Sequence, residues 1–443
     1  MYKKISVALI FLFSFSNLHA IYLLKEGIRS KSKIDRMPKN KVEDMKRIPQ
    51  DPAFFAKQVK PFSKKKQAQL DKDFNKKYFK PWDLKVLDIP KTEFGWEIRF
   101  VSQKPIYRAK GSEISAKIYN KWIDNADYDN VDSKKYKAIT IKRTNVKALP
   151  TNKAFFRDPK RTGEGFPFDY NQNSALHINI PLYISHFSLD KRWAFVRASY
   201  AFGWVKVSDL AIVDTKFIRI FKNDNYAITI KDNLRLYSKK KSLSLVKLGA
   251  LFPISKNNKY YLLASRDKKG QAHIEKVIVR DTNIIAKKPL AFTEENVAKI
   301  AAEFYGEPYG WGGSYECRDC SATTRDFLGT FGIFLRRNSS KQAKDGKSIS
   351  IAGLSKSKKK KKIIKKAEPF RSLLHVPGHI VLYIGEYKGE PVIMHTYWGI
   401  RKKDKSKIIT GRTIITTTEP GKERADVREQ SKLINTLKTI VNF

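Results

Sequence analysis

Cysteine is nearly absent from this chain: its 443 residues hold two, Cys317 and Cys320. Two cysteines cannot build a disulfide framework for that length, so packed apolar cores must supply the stability. Long apolar runs are scarce too. The run at residues 5 to 15 follows Lys3 and Lys4 and precedes Ser16, Asn17, Leu18, His19 and Ala20, the layout of a cleavable export leader. It is too short to cross a bilayer core of about 30 Å as a helix, and no later stretch approaches a spanning length, so no stable membrane span is expected once the leader is removed. Acidic residues are few, 43 against 89 Lys and Arg, and the formal net charge is +46. Export and the lack of any recognition motif exclude nucleic acid as the partner, leaving an anionic envelope surface, peptidoglycan carboxylates or anionic glycans.

An apolar content of 41% is enough for several cores. The texture predicts a leader over residues 1–20, a mixed and partly helical N-terminal module over 21–137, two small β domains over 138–215 and 216–290, and an α+β domain over 291–443. In the module, Ile114, Ile118, Tyr119 and Trp122 recur near helical spacing. The middle region is a series of short β-type runs, among them Leu176 to Ile184, Arg192 to Arg197, Gly203 to Val207 and Lys259 to Ala264, separated by Gly, Pro, Asn and Lys. Val146-Lys147-Ala148-Leu149-Pro150, Trp193 to Arg197 and then Gly203-Trp204-Val205 resemble bacterial SH3-like wall-targeting modules, and Leu234-Arg235-Leu236-Tyr237 repeats part of the plan. Residues 338 to 368 read as an exposed basic insertion, its lysine run from 356 to 366 a solvated loop.

Chemistry concentrates after Thr293. That residue caps a helix with Val297, Ile300, Ala301 and Phe304 on one face, and a second helical pattern begins at Cys320 with Thr324, Phe327, Leu328 and Phe331 buried. Three readings of the C-x-x-C compete. A zinc site lacks a second C-x-x-C or a close His pair, a redox dithiol remains open, and a nucleophile at a helix start would gain a lowered thiol pKa. A nucleophile needs a base. His379 opens an apolar strand, and His395, sixteen residues on, is symmetric with it about Tyr387. An odd-length turn centred there makes the two cross-strand neighbours, with His395 orienting His379; an even-length turn breaks the register. His375, placed in a loop before Pro377, is the rival base.

The block Tyr309-Gly310-Trp311-Gly312-Gly313, Asp319-Cys320-Ser321, then Gly378-His379 and His395 resembles the NlpC family of cell-wall cysteine peptidases. Ala322 stands where that family usually has Gly, and Cys317 is an addition that could form a strained disulfide with Cys320. The resemblance implies a papain-like α+β fold, no metal or organic cofactor, and hydrolysis of peptidoglycan stem peptides or muropeptides, commonly between D-glutamate and the diamino acid, in the periplasm or cell envelope. It implies Cys320, His379 and His395 as the catalytic residues and Tyr309, Asp319 and Ser321 as substrate-binding ones. Tyr309 and the Cys320 N–H are the expected oxyanion donors. Asp319 is expected either to cap the Cys320 helix or to pair with the free ammonium of an N-terminal L-Ala, which would favour free peptides. The rival readings are a non-catalytic wall-binding protein and an exported dithiol oxidoreductase.

Overall fold

The computed structural model describes residues 20–25, 32–161, 163–238 and 241–443. Apart from Ala20, the expected leader lies outside these residues. No helix among the described residues is long and apolar enough to cross a membrane.

In the C-terminal domain the strands Lys347–Ser350, Thr439–Asn442, Ser372–Val376, His379–Tyr387, Glu390–Arg401 and Lys407–Thr417 lie side by side in that order, all antiparallel. Two helices cover this sheet. Glu294–Phe304 starts where the Thr293 side chain accepts the Asn296 N–H, and it buries Val297, Ile300, Ala301 and Phe304. Cys320–Thr330 buries Phe327 and Leu328 in the same core, against Leu382, Ile384, Val392 and Met394. Removal of these side chains from water is the main favourable contribution to the domain.

The basic stretch expected to be an exposed insertion is built into this domain. Lys347–Ser350 is a strand of the sheet, and Lys356–Lys366 is a helix rather than a loop. Lys359 and Ile363, four residues apart, share a buried face. There the Lys359 ammonium donates to the carbonyls of Ile434, Asn435 and Leu437, groups left unpaired by the end of the short helix Leu433–Thr436. After that helix comes a strand, Thr439–Asn442.

Two β units precede the domain. In the first, seven strands between Tyr136 and Ile212 pair antiparallel. The second has a three-stranded and a five-stranded sheet, and the latter contains a strand from far upstream. Ile21–Lys25, expected to open the N-terminal module, lies antiparallel to Leu234–Ser238 and parallel to Ala272–Ile278. Alternation explains its place, since Ile21 and Leu23 point into that unit's core while Leu24 points out.

The helices of the N-terminal module divide their apolar faces among neighbours. Phe55 and Ala56 enter the core of the C-terminal domain. Phe74, Tyr78, Phe79 and Trp82 enter that of the first β unit, where the Trp82 indole N–H donates to the Ala138 carbonyl at 2.8 Å. The module is therefore a clamp around the other units.

The docking of the first strand can be tested by a pair of truncations. Leu23 is 1% exposed and Leu24 is 41% exposed. Leu23→Ala is expected to cost about 3 kcal/mol and Leu24→Ala less than about 0.5 kcal/mol, measured by denaturant unfolding. Equal small effects would mean that the strand is not seated in the sheet.

Candidate active site

Cys320 is the first residue of its helix. Asp319 is the cap: its Oδ1 accepts the Ala322 N–H at 3.0 Å and its backbone carbonyl accepts the Thr323 N–H. The same carboxylate takes both Nη1 and Nη2 of Arg337, at 3.0 and 2.5 Å, the Gly312 N–H at 3.1 Å and the Ser321 hydroxyl at 3.2 Å. Ser321 in turn accepts from Arg337 Nη1 at 2.7 Å. Five donors fill the acceptor sites of one buried carboxylate. An incoming ammonium would have to displace Arg337, so of the two readings of Asp319 the geometry corresponds to the cap. Ser321 and Asp319 form a brace under the nucleophile, closed by Arg337, which no sequence motif marked.

The loop before the helix is positioned by its glycines. Gly312 and Gly313 have φ of 59° and 85°, a region that side chains disfavour. A β-carbon on Gly312 would overlap the Gln172 carbonyl oxygen, and one on Gly313 would come within 2.6 Å of the Ala175 β-carbon. The Gly-Gly pair thus lets this loop lie directly on the strand Gln172–Leu176 of the first β unit. Tyr309 is buried at the loop's start, its ring against Phe168 and Trp398 and its N–H donating to the Gly411 carbonyl. Burial holds its phenol well above the usual range, with Cys320 and Asp319 as the next contributions.

Arg318, two residues before Cys320, is anchored by a buried ionic cluster. It donates bidentately to Asp232 at 3.0 and 2.9 Å, to Glu307 at 3.1 Å and to Asp326 at 2.6 Å. Lys247 pairs with Asp232 and Glu307, Arg325 with Asp326, and His177 of the first β unit meets Asp326 at 3.3 Å.

The histidines meet in a way the sequence did not foresee. The turn between their strands is Lys388-Gly389, with Tyr387 opposite Glu390 and both turn residues at positive φ, 51° and 77°. This is the even-length turn that should have put the histidines on opposite faces. A bulge between Tyr383 and Gly385 inserts one residue and restores the parity, so that Leu382 pairs with Met394. Gln58 of the N-terminal module clamps the bulge, exchanging hydrogen bonds with the backbone of Glu386. Continued, the register sets Tyr397 across from His379 and His395 diagonal to it on the same face. His379 Nε2 lies 3.2 Å from His395 Nδ1, and the Tyr397 ring packs on both imidazoles, with centroids at 5.2 and 4.7 Å. Tyr397 was missed, although its spacing of two from His395 on a strand is a legible signal. His395 Nε2 continues to Thr416 Oγ1 at 3.1 Å. His375 is on the strand Ser372–Val376, paired with Ile380, and not in a loop.

The backbone N–H groups of Ile380, the residue after His379, and of Ser321 act to lower the Cys320 thiol, as does Arg337. Yet burial pushes the thiol up to about 12, with the Asp319 charge adding to the rise, and this outweighs both N–H groups and Arg337. The lowered pKa expected at a helix start is overturned for the resting site. Burial also brings His379 down to about 4 and holds His395 well below the usual imidazole range. Burial thus favours the neutral form of both Cys320 and His379. Cys317 is buried, donates to the Tyr315 carbonyl at 3.3 Å, and forms no disulfide with Cys320.

Comparison with known proteins places this geometry. Three family models match: the N-terminal NLPC_P60 stabilising domain over residues 18–130, an SH3 domain of the SH3b1 type over 154–206, and the NlpC/P60 family over 306–404. No curated protein matches the chain. Among solved structures, that of an NlpC/P60 endopeptidase from Photobacterium damselae subsp. piscicida is similar with a TM-score of 0.80 at 24% identity, covering 89% of this chain and 97% of that one. An NlpC/P60 family protein from Bacillus cereus ATCC 10987 gives a TM-score of 0.44 at 14% identity, covering 69% of this chain and 99% of that one. The first likeness is one of fold along most of the molecule. The glycine loop, the Cys320 helix and both histidines fall inside the last matched stretch, and the chain carries an NlpC/P60 family domain behind that family's N-terminal stabilising domain and an SH3 domain.

Proposed function

We propose that this protein is an exported cysteine peptidase of the cell envelope that hydrolyses peptidoglycan stem peptides at the bond between γ-D-glutamate and the diamino acid. The observation that carries the reading is the meeting of three elements: a cysteine at a helix start, the packing of that helix on the strand that His379 opens, where Cys320 and Ile380 share one core, and His379 bonded to His395. As the sulfur attacks the scissile carbonyl, its proton passes to His379, which then delivers it to the leaving amine; water hydrolyses the thioester. Because the resting pair is neutral, attack and proton transfer are coupled, and the helix N-terminus stabilises charge only as it develops. Tyr309 and the Cys320 N–H are the proposed oxyanion donors. Asp319, Ser321 and Arg337 hold the nucleophile loop in place. The leader pattern and the family's cell-wall chemistry support an envelope location, with the excess of lysine suited to an anionic surface there.

In this reading Cys320→Ala and His379→Ala each abolish release of products from defined muropeptides, read by mass spectrometry, while the far-UV spectrum is unchanged. Cys317→Ser stays active; a dead Cys317→Ser would transfer the site to the dithiol reading, and activity surviving in Cys320→Ala would leave the wall-binding reading. His395→Asn and His395→Gln lose less than His395→Ala, since an amide oxygen can still orient His379.

With its acceptor sites filled, Asp319 has none left for an N-terminal ammonium. Free and N-acetylated L-Ala-γ-D-Glu-diaminopimelate are therefore expected to be cut at rates within about threefold of each other, whereas a charge-assisted bond would separate them about tenfold to hundredfold. A clear preference for the free peptide would show that Arg337 yields to substrate.

A thiol held up to about 12 also predicts how Cys320 labels. Iodoacetamide at neutral pH should modify it at least about a hundredfold more slowly than a free cysteine peptide, with the rate still climbing through about pH 10. Fast labelling at pH 6 would reveal a preformed thiolate–imidazolium pair.

A further inference from the structure

We propose that Thr416 is the positioning residue that fixes the tautomers of both histidines and so leaves the Nδ1 of His379 as the proton acceptor; this deepens the peptidase reading above and rests on it for its catalytic meaning. Thr416 Oγ1 lies 2.8 Å from the Thr417 carbonyl oxygen and 3.1 Å from His395 Nε2. A carbonyl oxygen only accepts, so the single hydroxyl hydrogen is directed at Thr417. Thr416 Oγ1 can then only accept from His395, whose Nε2 must carry a hydrogen. His395 is buried and neutral, so its Nδ1 is bare. The 3.2 Å contact between that Nδ1 and His379 Nε2 needs one hydrogen, which only His379 can supply. Neutral His379 is thereby the Nε2–H form, with its lone pair on Nδ1.

The origin of this relay is fixed from outside the sheet. Thr416 is fully buried on the strand Lys407–Thr417, opposite Ile393. The Thr417 N–H and hydroxyl both donate to the Asp44 carboxylate, at 2.9 and 2.7 Å, and Gln50 donates to the Ile415 carbonyl at 3.0 Å. Two residues of the N-terminal module thus hold the backbone whose carbonyl takes the Thr416 hydrogen. A hydroxyl free to turn toward His395 would let that ring adopt the other tautomer. His379 would then lose its acceptor on Nε2 and, with it, the reason to keep Nδ1 bare.

The test uses the full chain. Long-range proton–nitrogen correlation spectra of protein labelled with nitrogen-15 in histidine, assigned with His379→Gln and His395→Gln, report which ring nitrogens carry hydrogen. Both histidines are expected as the Nε2–H form in the wild type; His395 found as the Nδ1–H form would overturn the proposal whatever the enzyme's substrate. In Thr416→Val, a change of nearly equal volume, the His395 pattern should shift or average, and kcat on muropeptides should fall by at least about tenfold with KM within about twofold. Thr416→Ser, which keeps the hydroxyl, should restore both the spectrum and kcat to within about threefold of wild type. A folded Thr416→Val with wild-type spectra and kcat would overturn the proposal. A wild-type protein inert on every muropeptide would refute the peptidase reading instead, and the spectra would still decide the tautomers.

Discussion

The position of Cys320 depends on a largely buried ion cluster. Arg318 joins a loop of the second β unit through Asp232, the C-terminal domain through Glu307, and the Cys320 helix itself through Asp326. Arg318, Lys247 and Arg325 face three carboxylates, so the charges balance, and His177 brings in the first β unit. Desolvating such a group costs several kcal/mol per ion, and an apolar replacement of the whole set could be as stable. What the apolar alternative would not supply is direction. A bidentate guanidinium fork and three fixed carboxylates accept only one relative placement of the units they join, and that placement sets the chain two residues before the thiol. Removing one member leaves a buried charge unpaired, a loss of about 3 to 5 kcal/mol, so the cluster ties the integrity of the β units to the geometry of the site.

The same dryness governs the chemistry. A helix start and the pull of the Ile380 and Ser321 N–H groups favour a lower thiol pKa, and here burial outweighs them. The imidazole is affected in the opposite sense, because burial disfavours its charged form. Both shifts favour the neutral forms. In the proposed reaction the fixed donors around Cys320 act on the developing charge without reorganising. Tyr397, stacked on the His395 ring and tilted against that of His379, packs beside the histidine contact.

Much of this could be read from the sequence, and the failures have identifiable causes. Local pattern was enough for the helix opened by Cys320 and for His379 at a strand start, because caps, helical spacing and apolar runs act within a few residues. The histidine pairing came out on one face through an even turn plus a bulge, two deviations from the expected odd turn that cancel; no periodicity in the strand announces the bulge, and Gln58, more than three hundred residues away, holds it. Distance in sequence also hid Arg337 and Thr416, each of which matters only through its partner. The strand Ile21–Lys25 is five residues long and alternates correctly, but nothing in it names the sheet, more than two hundred residues downstream, whose gap it fills. The lysine run misled for a different reason. Charge composition predicts solvation on average, while Lys359 shows that one ammonium in such a run can be drawn inward when helix-end carbonyls are left without donors.

The N-terminal module acquires a function from these contacts that its own sequence does not show. Part of it packs on itself, with Val101, Ile106 and Ile114 in one cluster, while Phe55 packs in the core of one neighbour and Trp82 in that of another. Its polar side chains nevertheless reach the backbone at two places that matter: Gln58 at the bulge that sets the face of the histidines, and Asp44 at the residue whose carbonyl orients Thr416. The Gln58 contact is made to backbone groups alone, and the Asp44 contact to the N–H and the hydroxyl of Thr417. A clamp built in this way stabilises the geometry of the candidate site, because Gln58 and Asp44 hold the strands that carry His379, His395 and Thr416.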